Sequence, residues 1–271
     1  MIKRTALRSV QVLLVWLVLG TSAAMARETL EGRIAALMAH ADIVKPAGPG
    51  PFPVVVQMHG CGGKKSFQAT WAEAARAAGW AAIVLDSYAH RGISRLEAYA
   101  TVCVGARLWG RERAGDLYAA LAWARRQPWA DARRMVVAGW SHGGWAVLDA
   151  LALAPGADMA AATKLDGLPD EPLDGVVGAF LVYPYCGYGS VARRRGLRYP
   201  AAPLALVGSR DTVVGARALR GTLEAIGVQV AWLDGATHAF DEPDARDLRV
   251  RYSPDNTARA HALYRAYLGA R

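Results

Sequence analysis

The chain is poor in cysteine, with three among 271 residues, and it has only four phenylalanines. No segment repeats at a fixed period and no block is of low complexity, which excludes a solenoid and an extended disordered tail. After the first 26 residues no run is long and apolar enough to span a bilayer, so no membrane span is expected once that leader is removed. No histidine or cysteine cluster shows metal-ligand spacing; His40, His90 and His261 each stand apart from other ligand types. The densest basic run, Arg193-Arg194-Arg195, has no aromatic stacking platform with basic neighbours, which argues against a nucleic-acid partner.

What is present is ordinary globular material: 53% hydrophobic and 20% charged residues, enough for a sizeable core. The N-terminus is set aside first. Lys3, Arg4 and Arg8 precede the apolar stretch Val10–Gly20, and Ala24-Met25-Ala26 is a small-x-small cleavage site. That is the pattern of a secretory signal peptide over residues 1–26, leaving a mature single domain over 27–271 and an exported protein, periplasmic or secreted. Removal of the leader leaves 29 basic against 23 acidic residues, a net charge of +6. Export permits disulfides. Cys103 and Cys186 both fall in long predicted loops while Cys61 sits in a tight glycine-rich turn, so the expected pair is Cys103–Cys186.

Short apolar runs alternate with helical patterns along the mature chain. Strands are predicted at Pro53–His59, Trp80–Asp86, Arg134–Trp140, Val176–Tyr183, Leu204–Val207 and Val228–Leu233. Helices are predicted at Ser66–Ala78, Arg111–Gln127, Gly143–Ala154, Val214–Ile226 and Thr257–Leu268, with Glu28–His40 a further helix and Ala41–Lys45 a short edge strand. Strands apolar on both faces imply helices above and below, so the fold class is α/β: three layers around a mostly parallel sheet.

One of these strands ends in GWSHGG. Gly139-Trp140-Ser141-His142-Gly143 is a Gly-x-Ser-x-Gly turn between a strand and a helix, which lifts Ser141 above the carboxyl edge of the sheet. A serine is a weak nucleophile unless a base takes its proton and a carboxylate orients that base. Two later strands end at the same edge. LVGSRD delivers Asp211, and DGATHAFD delivers His238, so the order is Ser, Asp, His. Asp234, Asp241 and Asp86 are alternatives to Asp211 as the orienting acid. HGCGG (His59–Gly63) follows the first strong strand and is suited to present backbone N–H groups to an oxyanion. The expected donors are the N–H groups of Cys61 and His142, so that Cys61→Ala should be mild. His59 is a candidate brace for that loop. Arg91 is equally a pocket residue or a structural ion pair, Trp140 and Trp145 are candidate acyl-pocket walls, and Tyr183 is a weaker pocket candidate.

These segments, with HRGI after Asp86, run in order from about Pro51 to Asp241. Together they resemble the α/β-hydrolase superfamily and, within it, the dienelactone-hydrolase-like family. The resemblance implies an esterase-type fold without a large cap domain, a Ser141–His238–Asp211 triad, a small-molecule ester or lactone substrate, and no metal or organic cofactor. Dienelactone hydrolases carry a cysteine nucleophile where this chain has Ser141, which favours a general carboxylic-ester hydrolase. The region before Pro51 is short for the family's first strand pair, so the sheet is expected to lack a strand. Two other functions share the fold: a serine peptidase or amidase of prolyl-oligopeptidase type, and a binding protein with a dead site.

Overall fold

A computed structural model describes residues 27–199 and 201–271. The predicted signal peptide, residues 1–26, lies outside the described residues.

In chain order the elements are β1 (Glu28–Thr29), α1 (Leu30–Met38), β2 (Asp42–Val44), β3 (Phe52–Met58), α2 (Phe67–Ala77), β4 (Ala81–Leu85), α3 (Arg95–Glu97), α4 (Gly110–Ala124), β5 (Ala130–Trp140) and α5 (His142–Ala152). There follow α6 (Ala157–Thr163), β6 (Leu165–Asp166), β7 (Val176–Val182), α7 (Val191–Arg195), β8 (Leu204–Gly208), α8 (Ala216–Ala225), β9 (Gln229–Leu233) and α9 (Pro254–Gly269). Seven strands form one sheet in the order β2-β4-β3-β5-β7-β8-β9. Every neighbouring pair is parallel except β2 with β4 at the edge. A single strand, β2, precedes β3 in this sheet, and β1 pairs instead with β6 in a separate two-stranded patch.

The two-residue period of the strands divides the core. Val54, Val56 and Met58 of β3 and Met135 and Val137 of β5 face a layer built from α1, α4, α5 and α8. Val55 of β3 and Val136, Ala138 and Trp140 of β5 face the opposite layer, built from α2 and α9. Both faces of the central strands are fully covered, which is why they read as unbroken apolar runs. Gln57, the one polar residue in the middle of β3, is buried and donates through Nε2 to the Tyr264 hydroxyl at 3.1 Å.

The predicted strands and helices fall within a few residues of those observed. Among the described residues, β5 begins four residues early, at Ala130, and the short helices α6 and α7 appear where no helix was expected. The irregular stretch 87–110 contains a 3₁₀ turn at Ala89–Arg91, α3, and a π-helical turn at Ala98–Val102. No helix among the described residues is long and apolar enough to cross a membrane.

Candidate active site

β5 carries the chain to the carboxyl edge of the sheet and α5 leaves it one residue later. Ser141 is the pivot. Its backbone sits at φ 50°, ψ −113°, a region that L-residues seldom occupy. The flanking glycines are explained by distance. A Cβ on Gly139 would stand 2.4 Å from the Gly143 carbonyl oxygen, and one on Gly143 would stand 2.1 Å from the Met58 carbonyl oxygen. No side chain fits at either place, so β3, β5 and α5 can meet this closely only with glycine there.

The turn brings Ser141 to His238 and Asp211. Ser141 Oγ lies 2.9 Å from His238 Nε2, and His238 Nδ1 lies 2.7 Å from Asp211 Oδ2. The other Asp211 oxygen accepts the N–H groups of Val213 (2.9 Å) and Val214 (3.2 Å), which fixes the carboxylate. With Nδ1–H donating to Asp211, Nε2 is free to accept the serine proton. The three alternative acids are engaged elsewhere. Asp234 accepts from Ser209 Oγ, and Asp86 accepts the N–H groups of Tyr88 and Ala89. Asp241 accepts from Trp71 Nε1 (2.9 Å) and from the Tyr183 hydroxyl (2.6 Å). Burial pushes the Asp241 carboxyl up to about 6 despite those two bonds.

Cys61 and His142 line the same opening as Ser141 and His238. His142 opens α5, so its N–H has no carbonyl within the helix to bond. Neither N–H finds a hydrogen-bond partner among the described residues. A buried chain of polar contacts joins the two segments. His59 Nδ1–H donates to the Gly60 carbonyl (2.7 Å), and His59 Nε2 accepts the Ser87 N–H (3.1 Å). Arg113 of α4 donates through Nε to Ser87 Oγ (3.2 Å) and through Nη1 to His142 Nδ1 (3.1 Å). The Tyr88 hydroxyl donates to the Cys61 carbonyl at 2.9 Å. Both imidazoles are held well below their ordinary pKa, first by burial and then by the Arg113 cation, so each is neutral and free to accept. Burial lowers Arg113 as well.

Ser141 and His238 open into a cavity of about 680 Å³. Trp145, Tyr183 and Tyr185 line it together with Ser141, as do Lys65 and Glu242, which pair with each other. Among the described residues no group of three or more His, Cys, Asp or Glu side chains is placed to hold a metal.

Solved structures share this arrangement of sheet and helices. A protein assigned as a dienelactone hydrolase from Klebsiella pneumoniae superposes with a TM-score of 0.61 at 19% identity, over 85% of this chain and 92% of that one. The Est1E protein of Butyrivibrio proteoclasticus, solved with ferulic acid bound, gives 0.59 at 14% identity over 84% and 94%. A thermophilic esterase from Thermogutta terrifontis, with propionate bound, gives 0.54 at 15% identity over 84% and 88%. The chain has the α/β-hydrolase fold. The prolyl oligopeptidase family model matches residues 97–164. Comparison with curated protein sequences gives no match.

Within this α/β-hydrolase fold, several expected residues take other places. The disulfide joins Cys61 to Cys103, not Cys103 to Cys186. The π-helical turn carries Cys103 over the glycine loop, with its Cα 5.1 Å from that of Cys61. Cys186 is buried in the core under α5, near Ser190, and burial pushes its thiol up to about 11. Cys61→Ala therefore removes a cross-link, and its effect is no longer expected to be mild. Trp140 is not a pocket wall. It lies on the α2/α9 face, fully buried, with its ring edge-on to Trp71 at 5.1 Å. Arg91 belongs to an ion pair outside the cavity: it grips the buried Asp116 through two nitrogens, at 2.9 and 2.8 Å. Burial alone would raise the Asp116 carboxyl, but Arg91 and Arg33 more than offset it and hold it well below the usual range. Trp145 and Tyr183 do line the cavity, and His59 lies behind its loop.

Arg113 escaped the sequence reading, although it carried a signal. Arg113, Leu117 and Leu121 recur every four residues, so an arginine occupies the apolar stripe of α4. A charge at such a position has a partner or a task.

Proposed function

We propose that this chain is an exported serine hydrolase of the dienelactone-hydrolase-like kind, cleaving carboxylic esters or lactones through an acyl-enzyme. The observation that carries the reading is the unbroken relay from Ser141 Oγ through His238 to Asp211, opening into a cavity. His238 takes the proton of Ser141 as Oγ attacks the carbonyl carbon. The N–H groups of Cys61 and His142 stabilise the oxyanion, and His238 then protonates the departing alcohol. Water then attacks the acyl carbon as His238 takes its proton, and His238 passes that proton to Ser141 Oγ as the acid is released. Asp211 stays ionised throughout and fixes the imidazole tautomer. No step asks for a cofactor. The esterase names among the structural neighbours support this chemistry. The Cys61–Cys103 disulfide is compatible with an oxidising compartment, as export through residues 1–26 requires.

A second reading rests on the prolyl oligopeptidase match over residues 97–164. An amide leaves as an amine and needs protonation more than an alkoxide does. The two readings are separated by assaying p-nitrophenyl acetate, a simple γ-lactone and an aminoacyl p-nitroanilide side by side. The ester reading expects turnover of the first two with the anilide slower by orders of magnitude. Anilide hydrolysis at a comparable kcat/KM would replace it with the peptidase. A dead binding protein would turn over none of the three.

A further inference from the structure

One wall of the cavity is built of aromatic rings that touch at tilted and edge-on angles and start at Ser141. The Ser141 carbonyl accepts two N–H groups, from Trp145 at 3.1 Å and from Tyr185 at 3.0 Å. The rings of those two residues meet at 4.9 Å between centroids. Trp109 continues the wall, 6.1 Å from Trp145, and Tyr188 ends it, edge-on to Trp109 at 6.1 Å. Two of the polar atoms in the wall are already engaged within it: Trp109 Nε1 donates to the Gly105 carbonyl (2.8 Å) and the Tyr185 hydroxyl to the Tyr188 carbonyl (3.1 Å).

Three glycines seat these rings. A Cβ on Gly110 would stand 2.4 Å from Trp145, one on Gly187 2.4 Å from the Tyr185 hydroxyl, and one on Gly189 2.7 Å from Trp109. The wall is therefore fixed by backbone contacts on its outer side. Its far end is not buried. Tyr188 is 84% exposed, and of the eight large apolar residues exposed among those described, four (Tyr99, Val104, Tyr188 and Val213) line this one cavity. Exposed apolar surface gathered around one opening marks a site that an apolar group covers. Rings presenting their faces and edges favour a planar aromatic occupant over a flexible chain.

We propose that the acyl group of the substrate carries an aromatic ring, and that it packs along Trp145, Tyr185, Trp109 and Tyr188. This inference rests on the esterase reading. The two halves of an ester are told apart by the proton. The departing alcohol must lie against His238 Nε2, so the residues next to the acid and base, Val213 and Ala239, frame the alcohol. The wall grows instead from His142 and Trp145, on the oxyanion side, and so frames the acyl group.

The test compares ethyl 3-phenylpropanoate with ethyl nonanoate, which have equal acyl carbon counts, and benzyl acetate with hexyl acetate, all followed by acid release at constant pH. Ethyl phenylpropanoate should exceed ethyl nonanoate in kcat/KM by about tenfold, with a much smaller aromatic preference in the acetate pair. Tyr188→Ala, at an exposed position where folding is not at stake, should lower the phenylpropanoate-to-nonanoate ratio about fivefold, mainly through KM. Leu96→Ala, exposed but outside the cavity, should leave the ratio unchanged. An equal or greater rate with nonanoate, or an unchanged ratio in Tyr188→Ala, would overturn the aromatic site. A stronger aromatic preference in the acetates would overturn its assignment to the acyl half. Absence of turnover on every ester, with no phosphonylation of Ser141, would sink the esterase reading itself.

Discussion

Ser141 occupies backbone space that costs about 1–3 kcal/mol to hold. The surrounding contacts over-determine it, since glycines at 139 and 143 let three elements close upon it. The acid beside it poses a sharper question, because two buried aspartates, 211 and 241, lie near His238. The geometry favours Asp211, which bonds the ring nitrogen, whereas Asp241 bonds Tyr183 and Trp71. Asp211→Asn should lower kcat by about 10⁴ while the fold survives, because an amide no longer holds the correct tautomer. Asp241→Asn should keep most of the activity. Steady-state kinetics on one ester decides, and a larger loss in Asp241→Asn would reverse the roles.

That Ser141, Asp211 and His238 would meet at one edge of the sheet was legible because each follows a strand that the composition makes plain. The choice among four aspartates was not forced by sequence, since flanking residues in a loop can equally well turn toward or away from a ring. Trp140 shows a related limit. Its alternation with Ala138 and Val136 puts it on one face of β5, but a strand covered on both sides does not say which face is the pocket side.

At the scale of elements, α4 does more than cover the sheet. Its Arg113 reaches both Ser87, which bonds His59, and His142, and so ties the two segments that carry the proposed oxyanion donors. The proposed oxyanion donors depend on the separation of those loops. Arg113→Met should therefore lower kcat by about 10² with KM little changed, the cost of misplacing one oxyanion donor. Arg113→Lys, which keeps the charge but not the fork, should recover only part of it. Thermal melting of the variants controls for folding, and an unchanged kcat in a folded Arg113→Met would leave the tie without a catalytic role. Strands and long helices were legible from period and punctuation. The short helices α6 and α7 were not, because neither is long enough to show a period.

Across the whole molecule, the least legible feature is the cross-link. Three cysteines allow three pairs, and the pairing is set by the path of residues 87–110, which no local pattern predicts. The bond fastens the loop bearing the Cys61 N–H to the outer cavity wall. With its ends 42 positions apart in sequence, it constrains the unfolded chain by about 4 kcal/mol. Cys103→Ala should lower the melting temperature by several degrees. It should also reduce kcat, because the loop it releases carries a proposed oxyanion donor while the side chain at Cys61 is untouched. Cys186→Ala should do neither to the same degree, being remote from the loop. Equal melting temperatures for parent and Cys103→Ala would show that the bond does not contribute to the mature fold.

The measurement that bears most directly on the central claim is covalent. The mature chain and its Ser141→Ala variant are each treated with a fluorophosphonate and weighed intact, and the modified peptide is sequenced. The account predicts a single stoichiometric adduct on Ser141 in the parent, loss of turnover of p-nitrophenyl acetate in step with labelling, and neither labelling nor turnover in the variant. An adduct at another residue, or turnover that survives in Ser141→Ala, would contradict it.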